Sequence, residues 1–476
     1  MAALQVAEAC FAREKKKPRL IMDKLLLAGG MSYEFPVALR HHPGEVISEL
    51  ADAMGSELPP ASAIAPTFID AFAGCGGLSL GLKRAGWNGL LAIEKDEFAF
   101  STLSSNFSGE RPLMAYDWPP SIERRPWDIR LLLEKHSTEL AGLADSVDLI
   151  AGGPPCQGFS NAGRRRPDDP RNTLFEAYLE LVALVRPRMV LIENVRGFTS
   201  DFKKASAGGV QNFSEALRER LAPHYRTTSE IIRASDYGVP QSRPRFILVG
   251  VRNDMPASGL PFFFDDLRRS SRGFLAERGL PRSPTARDAI SDLEVGHAGT
   301  VPSVDSPGFD AIGYRSPRSS YQMAMRDGCQ SSPPDTRLAK HRDDISMRFA
   351  EIIKACREEG RLNTAISPET RERFQLKKLT IRVMDALAPA PTITSLPDDL
   401  LHYSEPRTLT VRENARLQSF PDWFAFQGKY TTGGMLRTKE VPRFTQVANA
   451  VPPLLAEQLG LALSRLAGRS PIDVRG

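Results

Sequence analysis

Four short stretches of this 476-residue chain carry residue types that do chemistry. In Gly152–Ser160, GGPPCQGFS, a cysteine, Cys156, stands in a Pro/Gly loop directly after the apolar run VDLIA. The two prolines before it argue against a packed strand or helix position. A thiol in such a loop is less shielded than one in a core, so its thiolate is accessible. The plainer alternative is a buried structural cysteine, the commoner fate of a lone one. In Glu193–Gly197, ENVRG, Glu193 closes a second apolar run, RMVLI. A carboxyl at one strand end beside a thiol at another pairs a nucleophile with an acid; the alternative is a surface ion pair. In QSRPR, Arg243 and Arg245 alternate along the start of a strand and so point to one side. There, two guanidinium groups can orient a carboxylate or hold phosphate. The fourth stretch, FIDAFAGCGGLSLGL, runs from a strand through Gly74, Gly76 and Gly77 into a helix. Glycines let the backbone lie close to a ligand whose polar end meets the helix N-terminus. Further on, Glu94 ends the strand LLAIE, where an acid takes ribose hydroxyls, and Asp117 in AYDW offers a third contact, to an adenine amino group. By itself such a turn serves NAD, FAD or S-adenosylmethionine, or is only a tight connection. Its glycine order departs from the dinucleotide pattern GxGxxG.

These residues need a scaffold that brings strand ends together. From Thr67 to about Val251, strand-like runs (TFIDAFAG, GLLAIEK, VDLIAGG, RMVLIENV, PRFILVGV) alternate with the helical DEFAFSTLSSNF and TLFEAYLELVALV. That alternation predicts a parallel sheet with helices on both faces. Between about 252 and 400 the texture turns to Pro, Ser, Arg and Asp, with few strong strands. SPRSSYQMAMRDGCQSSPPD reads as loop. One helix stands out, DDISMRFAEIIKACREEG, capped by Asp343 and stopped by Gly360. After 405, TLTVRENARLQSFPDWF and FTQVANAVPPLLAEQLGLALSRL each contain helices. Residues 1–66 read as an N-terminal extension with a basic run, REKKKPR, and the stretch LPPASAIAP.

Composition sets outer bounds. The apolar fraction is 41% and the charged fraction 25%, values of a globular chain with a large core rather than a disordered one. The net charge of +5 is compatible with a polyanionic partner without pointing to one. Five widely spaced cysteines with no CxxC pair argue against a zinc knuckle and fit reduced thiols in a cytoplasm. No apolar run is long enough to span a membrane, and no apolar core follows the basic run as in a signal peptide.

Six blocks in this order, DAFAGCGGLSLGL, GGPPCQGFS, ENVRG, QSRPRF, RTLTVRENARLQSFPD and QVANAVP, resemble the bacterial cytosine-C5 DNA methyltransferases of restriction–modification systems. The resemblance covers about 67–251 and 380–462. It implies a Rossmann-like α/β sheet binding S-adenosylmethionine, with a second, smaller target recognition domain. Residues 67–251 would form the catalytic domain, 252–400 the recognition domain, and 401–476 the return to the catalytic domain. It implies that the cofactor lies on Phe72, Gly74, Glu94, Asp117, Pro154 and Leu174, with Asn449 and Ala450 closing the pocket. Cys156 would be the nucleophile, Glu193 would contact the base, and Arg243 and Arg245 would line the cytosine pocket. The basic loop SNAGRRRPDDPRN, with Arg164, Arg165, Arg166 and Arg171, would close over DNA phosphates. The family usually has Gly-Asn where Ala448 precedes Asn449, and alanine resists φ > 0, so the turn is expected to differ there. The resemblance further implies duplex DNA as partner, no metal, a monomer in the cytoplasm at the nucleoid, and a cognate restriction endonuclease acting on the same site. A tRNA cytosine methyltransferase of the same fold is the alternative within this chemistry, though PPCQGFSNAGRR is closer to the DNA enzymes. A catalytically silent DNA-binding module is the alternative from another class; intact Cys156, Glu193, Arg243 and Arg245 argue against it. An NAD-dependent oxidoreductase would need the GxGxxG turn.

Overall fold

The computed structural model describes residues 65–469, apart from 110, 155–171, 200–201, 204–209, 330, 434–435 and 437–438. Cys156 and the arginines 164, 165, 166 and 171 lie outside the described residues, as does nearly all of 1–66. Six strands form the main sheet: β1 (Thr67–Ala71), β2 (Asn88–Ile93), β3 (Leu149–Gly152), β4 (Met189–Val195), β5 (Tyr225–Arg233) and β6 (Pro244–Arg252). Their order is β2-β1-β3-β4-β6-β5. The first four are parallel. β6 runs antiparallel to both β4 and β5, so the sheet is mixed rather than wholly parallel. The cause is local: β5 and β6 are joined by the short segment 234–243, and a connection without a crossover helix returns antiparallel. β5 itself, YRTTSEIIR, escapes an apolar pattern because it is an edge strand, with polar and charged side chains along much of its length.

Successive residues of the central strands face opposite cores. Phe68, Leu149, Leu191 and Ile247 enter one; Ile69, Ile150, Val190 and Leu248 enter the other. The helices that matter here are α1 (Gly77–Arg84), α2 (Ile129–Lys135), α3 (Asn172–Val185), α4 (Phe213–Leu221), α5 (Phe263–Glu277), α6 (Asp343–Glu358), α7 (Val411–Leu417), α8 (Arg443–Asn449) and α9 (Pro453–Leu466). α1, α5, α7, α8 and α9 supply the first core, and α2, α3 and α4 the second. α1 and α9 meet almost backbone to backbone. A Cβ at Gly81 would lie 2.5 Å from the Glu457 amide, and one at Gly460 2.7 Å from Ala85 Cβ, so glycine is required at both contacts.

The stretch 252–400 is not built as one piece. α5, near its start, packs its Phe263, Phe264, Leu267, Phe274 and Leu275 into the first core. Residues from α6 onward form a separate small core of Ile352, Ile353, Cys356, Ile366, Ile381, Val383 and Leu401. α6 begins one residue earlier than its sequence suggests: Arg342 is the cap position, and Asp343 and Asp344 occupy the first turn, where acids favour the helix dipole. Gly360, at φ 64, follows its end. The segment read as loop contains a helix, Ser320–Arg326, capped by the Ser319 side chain on the Gln322 amide. Two turns burying only Tyr321, Gln322 and Met325 are too short to reveal a helical period. The chain returns at Ala390–Pro391, which pairs in parallel with Gln241–Ser242. α7 starts on a capping box, Thr410 with Glu413. Among the described residues, no helix is long and apolar enough to cross a membrane.

Candidate active site

β1 has β2 on one side and β3 on the other, so the chains leaving their carboxyl ends diverge. An open sheet presents a crevice at such a switch point. The turn after β1 lines it with an unusual backbone. Phe72, Gly74 and Gly76 all have positive φ, at 62°, 56° and 94°. For Phe72 that conformation costs roughly 1–3 kcal/mol, a strain that persists only where the surroundings enforce it. The space beside Gly74 is open: a Cβ there would touch nothing within 4 Å. Glu94, just past β2, holds the turn. Its Oε2 accepts from the Gly74 amide (3.0 Å) and its Oε1 from the Asp96 amide (2.8 Å). Burial pushes its carboxyl above the ordinary range, and these two amides oppose the shift. A strained turn, open space beside Gly74 and a fixed carboxylate fit the polar end and ribose of a nucleoside cofactor.

Asp117 is not brought into this group. Its amide donates to Gly89 O (2.8 Å) and its side chain accepts from Asn88 (2.6 Å), both at the opposite end of β2 from Glu94. A different acid stands nearer. The Trp127 amide donates to Glu94 O (2.7 Å), which places the next residue, Asp128, at the crevice end. There Asp128 caps α2 through the Arg130 amide (3.0 Å). Its signal was a helix-capping aspartate before the apolar IRLLL, legible as a cap and silent about a ligand.

At the other wall, Glu193 lies near the end of β4. Its Oε2 is 3.2 Å from where a Cβ of Gly153 would stand, three residues before Cys156. Its Oε1 pairs with Arg245 Nε at 2.6 Å. Val195 is opposite Arg245 in the β4–β6 register, so Arg245 reaches Glu193 along a cross-strand diagonal. Asn194, the neighbour of Glu193, donates from Nδ2 to Pro154 O (3.0 Å) and fixes the chain two residues before Cys156. Leu174, on α3, is buried in the second core, against which Phe72 also packs.

The two arginines of QSRPR part company. Arg243 is almost fully enclosed and spends its hydrogen bonds on main-chain carbonyls. Its Nη2 donates to Ala448 O (2.6 Å) and Ala450 O (3.3 Å). Burial, with Arg245 adding to it, holds its pKa well below the usual arginine range. Arg243 thus clamps the turn that carries Asn449 and Ala450. Two buried glutamines complete that clamp. Gln418 Nε2 donates to Val447 O (2.8 Å) and Ala450 O (3.2 Å), and its Oε1 accepts from Gln241 (2.9 Å). Gln241 Oε1 in turn accepts from the Ile393 amide (3.1 Å) on the returning chain. Nothing in the sequence marks these glutamines, since an uncharged amide has no pattern of its own. The clamped turn abuts α1: Ala450 Cβ lies 3.1 Å from where a Cβ of Gly77 would stand. Asn449 is exposed there. Ala448, expected to disturb the turn, is the penultimate residue of α8 with an ordinary negative φ, so alanine fits without strain.

Cys75, in the same turn as Gly74, is a poor nucleophile. It is buried, its Sγ faces Gln446 O (3.6 Å), and burial pushes its thiol up to about 12. Among the described residues no cluster of His, Cys, Asp and Glu could hold a metal ion.

Comparison with known proteins bears directly on this geometry. Residues 66–465 match the family model of C-5 cytosine-specific DNA methylases. Among curated proteins, the type II methyltransferase M.DdeI of Desulfomicrobium norvegicum is 34% identical over 410 residues, covering 83% of this chain and 88% of that one. The type II methyltransferase M.XorII of Xanthomonas oryzae pv. oryzae is 30% identical over 419 residues, covering 85% and 86%. Among solved structures, a prophage-encoded E. coli protein named as a DNA modification methyltransferase aligns with a TM-score of 0.57 at 25% identity, covering 85% of this chain and all of that one.

Proposed function

The chain belongs to the C-5 cytosine-specific DNA methylase family, and we propose that Cys156 is its nucleophile, Glu193 its contact to the target base, and the crevice above β1 and β2 its cofactor pocket. It is a DNA cytosine-5 methyltransferase of the restriction–modification type, and the family's methyl donor is S-adenosylmethionine. The observation that carries the site assignment is the pairing of Glu193 with Arg245 at 2.6 Å beside Gly153, at the root of the Cys156 loop.

Carbon 5 of cytosine is a weak nucleophile. Addition of the Cys156 thiolate to carbon 6 breaks the 5,6 double bond and makes carbon 5 electron-rich. Glu193, held by Arg245, hydrogen-bonds at N3 and offsets the charge that develops on the ring. Bound in the crevice, S-adenosylmethionine supplies the methyl group. Loss of the carbon 5 proton and departure of Cys156 then restore the double bond. Phe72, Gly74, Glu94, Pro154 and Leu174 line the cofactor side, Asp128 joins them in place of Asp117, and Asn449 and Ala450 close it. Arg245 serves the base pocket directly and Arg243 through the turn it clamps. Carbon 5 is inside the DNA stack, so the base must be flipped out, and Arg164, Arg165, Arg166 and Arg171 hold phosphates as the loop closes. Residues 252–400 carry target recognition. The enzyme works as a cytoplasmic monomer on duplex DNA, beside an endonuclease of the same specificity.

The test is duplex DNA with 5-fluorocytosine at the target. Fluorine cannot leave as a proton does, so a covalent adduct should accumulate on Cys156, only with S-adenosylmethionine present. An adduct mapped by mass spectrometry to any other cysteine overturns the assignment.

A further inference from the structure

Several arginines in and near the recognition segment are occupied within the protein. Arg318 bonds Ser291 O and meets Glu294, Arg326 meets Asp422, Arg357 bonds Tyr403 O and Arg361 bonds Ala365 O. Arg337 differs. Among the described residues no acceptor hydrogen-bonds its guanidinium and no carboxylate pairs with it. It is gripped instead by two aromatic rings, with Phe309 centred 4.4 Å away and Tyr430 3.8 Å away. Its Nε is buried without a partner, while its terminal nitrogens are not enclosed.

Both jaws of this grip are fixed. Phe309 belongs to the hairpin of Thr300–Pro302 and Asp310–Ile312, and the Arg337 backbone is bridged to that hairpin at Ala311. Flanking bonds, Ile312 N to Thr336 O (3.0 Å) and Leu338 N to Asp310 O (2.8 Å), hold the register. Tyr430 donates to Asp305 (3.0 Å), and Arg443 joins Asp305 to Asp335 at 2.6 and 2.8 Å. The Tyr430 segment also fixes where the stack stands. The Val441 amide donates to Asp96 Oδ2 (3.0 Å), and Gly428 packs against Phe98. Asp96 and Phe98 directly follow Glu94, so this segment lies on the carboxyl-end rim of the sheet, the end that carries the catalytic crevice.

We propose that Arg337 is a specificity-determining residue that reads a guanine of the methylation site. The proposal rests on residues 252–400 being the recognition segment. A guanidinium whose plane is fixed by two rings, with its terminal donor pair open, matches the paired acceptors O6 and N7 of guanine in the major groove. A phosphate contact would not need a fixed plane, and Lys340 beside Phe309 suffices for that role. Burial without a partner already holds Arg337 below the usual arginine pKa, so the free enzyme carries a donor lacking its acceptor.

The test is methylation-site mapping of the wild type, Arg337→Met and Arg337→Lys on random-sequence duplex DNA, with the salt dependence of binding measured alongside. Methionine keeps a long apolar body between the rings, so the stack does not collapse. Both variants should lose about 10- to 100-fold of the discrimination at one guanine of the site, with the other positions and the salt slope unchanged. An unchanged map in folded, active variants overturns the proposal. Uniform weakening on all sequences with a salt slope reduced by about one also overturns it, because that marks a phosphate contact. An exchange of 252–400 with a relative of different specificity separates the two claims. If the exchange moves the site and Arg337→Met does not, only the arginine is misassigned; if neither moves it, the recognition segment is misplaced.

Discussion

Around the crevice, side chains reach far along the chain for their partners. Arg243 bonds Ala448 across 205 residues, Gln241 bonds Ile393 across 152, and Asn106 bonds Ala425 across 319. In the part built on α6 most partners are nearer, although Arg357 reaches Tyr403 across 46 residues. Arg361 bonds Ala365 four residues on, Thr370 bonds Glu359 eleven away, and Lys378 bonds Asp398 twenty away. The first region exists only when the whole fold does, so one change there is felt at several walls of the pocket. The second is stitched mostly locally around a small core, joined to the first at Tyr403, and can change with little effect on the first, because sites with few shared partners contribute nearly independently. An enzyme whose chemistry is constant and whose target varies is well served by that division.

The largest expected effect falls on the proposed nucleophile. Cys156→Ser should lower methyl transfer by more than about a hundredfold while DNA binding persists, since an alcohol is far less nucleophilic than a thiolate. Cys75→Ala, at the buried thiol, should not. Single-turnover assays decide this, and transfer within tenfold of wild type by Cys156→Ser would refute the assignment. Next comes Arg243→Ala, which leaves the Ala448 carbonyl unpartnered and loosens the turn at Asn449. Loss of a charged hydrogen bond predicts a KM for S-adenosylmethionine raised by about 10- to 100-fold. Arg243→Lys should recover part of it. A KM equal to wild type in Arg243→Ala would mean that Gln418 alone holds the turn.

A region exchange sharpens the comparison itself. Replacing 252–380 with a relative's segment removes α5 from the first core and should lower the melting temperature as well as move the methylated sequence. Replacing only 341–383 should spare α5 and leave S-adenosylmethionine affinity within about twofold of wild type. Calorimetry and cofactor titration on the two chimeras test this; equal destabilisation in both would erase the boundary drawn between the regions.

The smallest effect concerns Asp70, buried in β1 below the crevice. It accepts from Ser79 (2.5 Å), which in turn accepts from Tyr116 (2.5 Å). Burial pushes its carboxyl up to about 7 from an ordinary 3.8. A carboxyl with a higher pKa in the fold than in the unfolded chain takes up a proton on folding. Its contribution to stability is therefore full below the ordinary value and is lost as pH rises towards 7, by at most about 1.4 kcal/mol per pH unit. Asp70→Asn removes this slope. Its melting temperature relative to wild type should rise between pH 5 and pH 8, and a difference constant with pH would contradict the assignment.

The same contrast explains what the sequence disclosed. Strand β1 with its glycine turn, β3, and Glu193 at the end of β4 were legible because apolar runs ending in special residues are local patterns. β6 was found as a strand but not in its direction, because direction depends on the connection from β5, whose polar edge gave no signal. The sequence points to Asp117 and is silent about Asp128, because both are acids after β2 and only the bond from Trp127 to Glu94 tells which end of that strand each one meets. The parting of Arg243 and Arg245 was invisible for a related reason. Alternation predicts a shared face within a strand, and β6 begins at Pro244, after Arg243.

The close seating of α9 against α1 has a temporal consequence. The strand and turn that open the pocket are made early in translation, and the turn and helix that shut it come more than 350 residues later. A ribosome must therefore deliver the chain through Leu466 before any methyl donor can be enclosed. In a cell newly acquiring such a gene, protection of its DNA is delayed by at least the time needed to synthesise and fold the stretch from β1 through α9.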